Sequence, residues 1–210
     1  MYKTLPYYVL GFHGCDRTVA EDILCSGTKH LNKSRNAYDW LGYGIYFWEN
    51  SPLRAIEYAR ELKRRPRSSK QHIENEAVIG AVIDLGYCLN LVDSESLQII
   101  KSSYDALCQA MQKTGRPIPE NKKPRGSRDY LIRNLDCAVI ELTHTITYEK
   151  LHKEFDTVRG IFWEGKELYP TAGFLDKNHI QICVRNTDCI KGYFQPRYNS
   201  LIRNVQNPAS

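Results

Sequence analysis

The chain has 210 residues, 42% of them hydrophobic, and a formal charge of +5, so it can bury a substantial core and is not expected to be disordered throughout. No apolar run approaches the length of a membrane-spanning helix, and "MYKTLPYYVLGFHG" lacks the charged lead and small-residue cleavage site of a signal peptide. The seven cysteines, an odd number without CxxC spacing, fall mostly in apolar runs, which predicts reduced thiols in a cytoplasmic protein. Cys183 and Cys189 with His179 match no zinc template, so no metal is predicted.

In chain order, "YYVLGF" (7–12) reads as a buried strand ending at His13. "TVAEDILCSG" spaces Ala20, Ile23 and Leu24 as a helix, capped by Asp16 or Thr18 and closed by Gly27 in a left-handed conformation. "GIYFW" (44–48) is a second strand. "SPLRAIEYARELKRR" (51–65) is a helix with Ser51 as N-cap and Pro52 in the first turn. "AVIGAVIDLG" (77–86) is a strand closed by a turn, and residues 95–115 are a long helix. Residues 116–128 form a flexible connection, and 127–144 read as another helix. Three strands follow at 157–163, 179–185 and 189–194, and 196–210 are a tail. Early and late strands bracket a helical middle, which predicts an α+β fold with a largely antiparallel sheet. One domain over 1–195, with a helical insertion at about 95–150, is expected.

Two segments concentrate the positive charge. "RELKRRPRSSK" (60–70) carries six basic residues against one acid, and "KKPRGSR" (122–128) carries four. Both are solvated loops in the simplest reading, and both would suit nucleic acid or another acidic partner. Neither carries the interleaved aromatics of a base-stacking groove.

Three pieces stand in a telling order: "HGCDRTVAEDILCSG", then "GYGIYF", then "AIEYA". Together, over residues 8–60, they resemble the ADP-ribosyltransferase fold, in its branch of poly- and mono-ADP-ribose polymerases. "HIQICVRNTDCIKGYF" resembles that family's final strand and its neighbour. The resemblance implies an ADP-ribosyltransferase-like split antiparallel sheet with flanking helices. It also implies NAD as substrate, with no metal. Gly44 and Tyr46 would line the nicotinamide slot, and Tyr46 and Tyr58 would sandwich the ring. Gly14 would offer its backbone to the carboxamide, and His13 would hydrogen-bond the adenosine ribose and the carboxamide. Where the family usually has a Glu, this chain has Gln181, or His179 if the register slips by one pair. Gln181 can hold a ribose hydroxyl but adds no negative charge beside a developing oxocarbenium ion. A loop carboxylate, Glu164 or Glu167, could supply it, and Arg159 would suit a carboxylate or a pyrophosphate. A hydroxyl that helps hold the carboxamide is replaced by Ala55.

The resemblance therefore implies an NAD-dependent mono-ADP-ribosyltransferase. Its acceptor would be a protein or a nucleic acid reached through 60–70 and 122–128, and a toxin or defence role would fit family habit. The competing expectation is a degenerate module that binds NAD or ADP-ribose without turnover. An RNA 2′-phosphotransferase of the same fold would need a His and Arg set absent here. A cysteine hydrolase built on Cys15 and His13 lacks an orienting third group.

Overall fold

The structure is a computed structural model that describes residues 8–64 and 72–197. The described elements are β1 (Tyr8–Asp16), α1 (Arg17–Cys25), β2 (Ile45–Glu49), α2 (Pro52–Arg64), β3 (Glu76–Asp84), β4 (Cys88–Asn90), α3 (Ser94–Thr114), β5 (Asn121–Lys122), β6 (Ile132–Arg133), α4 (Asn134–Leu151), β7 (Thr157–Phe162), β8 (His179–Val184) and β9 (Ile190–Phe194). The chain is thus mixed α+β. It divides into two compact units, the first drawn from residues 1–31, 47–84 and 190–210, the second from 32–46 and 85–189.

In the first unit β3 lies between β1 and β9. It pairs antiparallel with β1 from Tyr8↔Asp84 to Asp16↔Glu76, and with β9 from Gly80↔Phe194 to Ile83↔Ile190. β1 also pairs antiparallel with β2, through Gly11↔Glu49 and Phe12↔Trp48. The unbroken run Val78, Ile79, Gly80, Ala81 is buried, as expected of a strand covered on both faces. α2 lays Ala55, Ile56 and Ala59 inward, and Phe12, Trp48 and Val78 complete one cluster with Ala55 and Ile56. Asp16 starts α1: its carboxylate accepts from Thr18 N (2.9 Å) and also from Glu74 N and Asn75 N (2.8 and 2.9 Å).

In the second unit β7 pairs antiparallel with β8 over six residue pairs and parallel with β4 over three. Leu41, Leu89, Ile140, Phe155, Val158 and Cys183 form its core. α3 is capped by Asp93, which accepts from Ser96 N, and closed by Gly115 at φ +65°. Asp156 holds the turn before β4 and the exit of β8, accepting from Tyr87 N (2.8 Å) and Asn186 Nδ2 (2.9 Å).

Several expectations need correction. β1 does not end at His13 but continues to Asp16, because all nine residues find partners on β3. α1 ends at Cys25 with Ser26 as its extended C-cap, and Gly27 is not among the residues of positive φ. The helix expected over 127–144 starts at Asn134 and runs to Leu151. Its expected first turn is instead drawn into a ribbon with β5 (Asn121↔Arg133), while Asn121 Oδ1 accepts from Leu135 N (3.0 Å) and Asp136 N (3.3 Å). The β4–β7 pairing is parallel within an otherwise antiparallel set of described ladders. Part of the basic segment 60–70 and most of the expected tail lie outside the described residues.

Candidate functional site

The residues singled out by the sequence divide between the units. His13, Gly14 and Tyr58 belong to the first, and Gly44, Tyr46, Glu164 and Gln181 to the second.

In the first unit His13 lies mid-strand on β1, opposite Ile79, half-buried, with its ring edge-on to Phe47 at a centroid distance of 6.0 Å. Gly14 has a packing cause of its own. A Cβ there would stand 2.0 Å from the carbonyl oxygen of Ala55, so the backbone of α2 rests directly on β1. Ala55, where a hydroxyl would be useful to a carboxamide, is fully buried in that contact. Tyr58 packs against Trp48, ring centroids 4.9 Å apart. Burial, with the charge of Asp16, pushes the Cys15 thiol up to about 11, which opposes a thiolate nucleophile.

In the second unit Gly44 sits under β8: an added Cβ would stand 2.5 Å from Cys183 Sγ and 2.6 Å from Val184 O. Two hydrogen bonds with Ser34 (2.8 and 3.1 Å) fix its backbone. Tyr46 is anchored by its hydroxyl, which accepts from Leu41 N (3.1 Å) and donates to Gly42 O (2.7 Å). That end is enclosed, and burial holds the phenol well above its ordinary pKa, while the residue as a whole is half-buried. Asp39, raised by burial although it accepts from Asn36 N, adds a nearby negative charge that further opposes ionisation of Tyr46.

Gln181 and His179 do not compete for one position, because residues two apart on a strand share a face. Gln181 Nε2 lies 3.1 Å from His179 Nε2, Gln181 Oε1 lies 2.8 Å from Trp40 Nε1, and His179 Nδ1 lies 2.6 Å from Lys177 O. Donor chemistry orders this chain. A carbonyl can only accept, so His179 Nδ1 carries the proton and Nε2 is the bare acceptor. The amide NH₂ of Gln181 then donates to it, and Oε1 accepts from the indole N–H, which can only donate. One N–H of Gln181 has no partner among the described residues.

Trp40 reaches this chain because Gly160, opposite Gln181 on β7, leaves room for its ring: an added Cβ would stand 3.1 Å from Trp40 Cη2. Phe162 meets Trp40 edge-on at 4.8 Å and lies 5.2 Å from the His179 ring. Trp40 and Phe162 escaped the sequence reading, since Trp40 is 141 residues from Gln181 and no spacing links them. Glu164 is half-buried in the β7–β8 connection, its carbonyl accepting from Lys177 N (3.2 Å), while Glu167 Oε2 accepts from Thr171 N (3.1 Å). Arg159 donates to Asn90 Oδ1 (3.1 Å). Among the described residues no group of three or more His, Cys, Asp or Glu side chains could hold a metal ion, and no helix is long and apolar enough to cross a membrane.

The cluster around Gln181 can orient a hydroxyl through an amide N–H whose own position is set from both sides. No protein-family model, curated protein or solved structure matches the chain.

Proposed function

We propose that the chain is a mono-ADP-ribosyltransferase that cleaves NAD at the nicotinamide–ribose bond and transfers ADP-ribose to a macromolecular acceptor. The observation that carries this reading is the pairing of its two motif strands. β1, with His13-Gly14, lies antiparallel beside β2, from "GYGIYF", in the register Phe12↔Trp48, and α2 follows with Tyr58. Bound NAD supplies the electrophilic carbon, and the residues bind and orient it. By the motif resemblance, His13 would hydrogen-bond ribose and carboxamide, Gly14 would offer backbone groups, and Gly44 and Tyr46 would line the nicotinamide slot. Tyr58 adds aromatic surface on α2. The uncommitted N–H of Gln181 would hold a ribose hydroxyl, and Glu164 would be the loop carboxylate that favours developing positive charge. Nothing in these roles extends a chain of ADP-ribose units.

Nicotinamide release from NAD by the purified chain tests the reading. Release should fall about 100-fold in His13→Ala, the scale on which removing one well-placed hydrogen-bonding group acts, and rise in Gln181→Glu, which restores a carboxylate. A second reading, an NAD- or ADP-ribose-binding module without turnover, is favoured by the neutral amide of Gln181 and its fixation by Trp40 and His179. It expects a melting temperature raised by millimolar NAD with no nicotinamide formed. Neither nicotinamide nor a thermal shift would reject both.

A further inference from the structure

The β7–β8 connection is an ordered hairpin with its aromatic side chains outside. Leu168 N donates to Phe174 O (3.1 Å), Asp176 N to Lys166 O (2.9 Å) and Ala172 N to Tyr169 O (3.0 Å), and Glu167 bridges Leu175. Yet Trp163, Tyr169 and Phe174 are 56%, 57% and 62% exposed. A hydrogen-bonded backbone that holds three large rings in water is a presenting surface, not a core in the making.

The chain just after the basic segment 122–128 meets the base of this hairpin. Asp129 Oδ2 accepts from Gly165 N (3.2 Å), and the Arg133 guanidinium lies over the Phe162 ring at 5.4 Å. Tyr130, 47% exposed, carries Lys123 over its face at 4.7 Å. Lys122, Lys123, Arg125, Arg128 and Lys166 are exposed, and none has an ion-pair partner among the described residues. The neighbouring acids each accept from a backbone amide: Asp129 from Gly165 N, Asp176 from Lys166 N (2.8 Å), Glu167 from Thr171 N.

The geometry points to a docking surface for single-stranded nucleic acid. The rings of Trp163, Tyr169 and Phe174 stack on bases, and the unpaired cations follow the phosphates. A duplex keeps its bases stacked on one another and offers these rings nothing flat, whereas an unpaired strand supplies both bases for the rings and phosphates for the cations. The aromatic component that the basic segment lacks in sequence is supplied by a hairpin some 40 residues later in the chain. This deepens the transferase reading by naming the acceptor class, and rests on it for that consequence alone.

Docking is measured without NAD, so it stands or falls separately from nicotinamide release. The probe is a fluorescein-labelled single strand of about 16 nucleotides, DNA or RNA, followed by anisotropy and by quenching of tryptophan fluorescence. Affinity should fall about 100-fold between roughly 50 and 200 mM salt if five cations meet phosphates. Trp163→Ala and Tyr169→Ala should each weaken binding about 10-fold, and Trp163→Phe should restore most of the loss at that position. Circular dichroism and melting temperature establish that each variant is folded. Absence of binding at low salt would overturn the proposal. So would equal affinity for a duplex, or ring substitutions without effect in folded variants.

Discussion

His144 lies on α4 with 2% of its surface exposed and Phe155 edge-on to its ring, and neither ring nitrogen has a hydrogen-bond partner among the described residues. Burial, with the nearby Arg185 guanidinium, lowers its pKa from 6.5 to about 3. The sign of the consequence follows from where the proton goes. Between about pH 6.5 and 3 the unfolded chain binds a proton that the folded chain refuses, so stability is full above 6.5 and falls as pH drops through that window. The slope from this one group should approach about 1.4 kcal/mol per pH unit. Urea midpoints at several pH values would show it, and His144→Leu should flatten the profile between about pH 6 and 4. An unchanged slope in the variant would assign the acid sensitivity to another group. The sequence contains no sign of this: His144 reads as one more polar residue in "ELTHTITY", and only the packing of α4 reveals that its ring has no exposed side. By contrast, the shared face of His179 and Gln181 was available from strand period alone. The indole that fixes the amide was not.

Asp16 does the work of two elements. It opens α1 by accepting from Thr18 N and Thr18 Oγ1, and it ties that start to the approach of β3 through Glu74 N and Asn75 N. The bond from Asn75 N, with the others, holds its carboxyl well below the ordinary carboxylate range. Its contribution is therefore lost only as pH falls below the ordinary value near 3.8, a window more acidic than most of that for His144. Asp16→Ala should cost about 1–2 kcal/mol, the upper part of the range for a helix cap, read as a lower urea midpoint. Asp16→Asn should recover only part of it, because one amide oxygen can replace Oδ1 or Oδ2 but not both, and the amide NH₂ would then face backbone N–H donors. Element positions were legible where periodicity was long, as in α2, α3 and β3. They failed where a distant side chain chose the boundary: Asn121 sets the start of α4 from 13 residues upstream. β4, β5 and β6, three, two and two residues long, are too short to carry a period.

At the scale of the whole molecule, the first unit is assembled from three separate stretches of chain. Bringing Ile190–Phe194 beside β3 closes a loop that contains most of the second unit, and that closure costs less entropy once the intervening chain is folded. The two units are therefore expected to unfold in one transition. The thiols report it. Cys25 is exposed, Cys88 and Cys108 are half-buried, and Cys15, Cys137, Cys183 and Cys189 are buried. Burial pushes the Cys15 and Cys137 thiols up to about 11, and Cys183 further still. A thiol reagent at neutral pH should label Cys25 first and the four buried thiols only at the urea midpoint. Labelling of Cys15, in the first unit, at a different urea concentration from Cys137 and Cys183, in the second, would show that the units unfold independently.

Sequence alone determined the mixed α+β class, most strands and helices, the concentration of charge at 122–128, and the motif order around His13 and Tyr46. These depend on local periodicity and residue type, which are written within a few turns of chain. Tertiary structure decided that Gly14 is a contact between a helix backbone and a strand. It decided that Gln181 is held between an indole and an imidazole, and that a basic loop and an aromatic hairpin meet at Asp129 and Gly165. Apart from the neighbouring imidazole of His179, each of these contacts joins residues tens of positions apart, and nothing in local sequence specifies which distant side chain will close the gap.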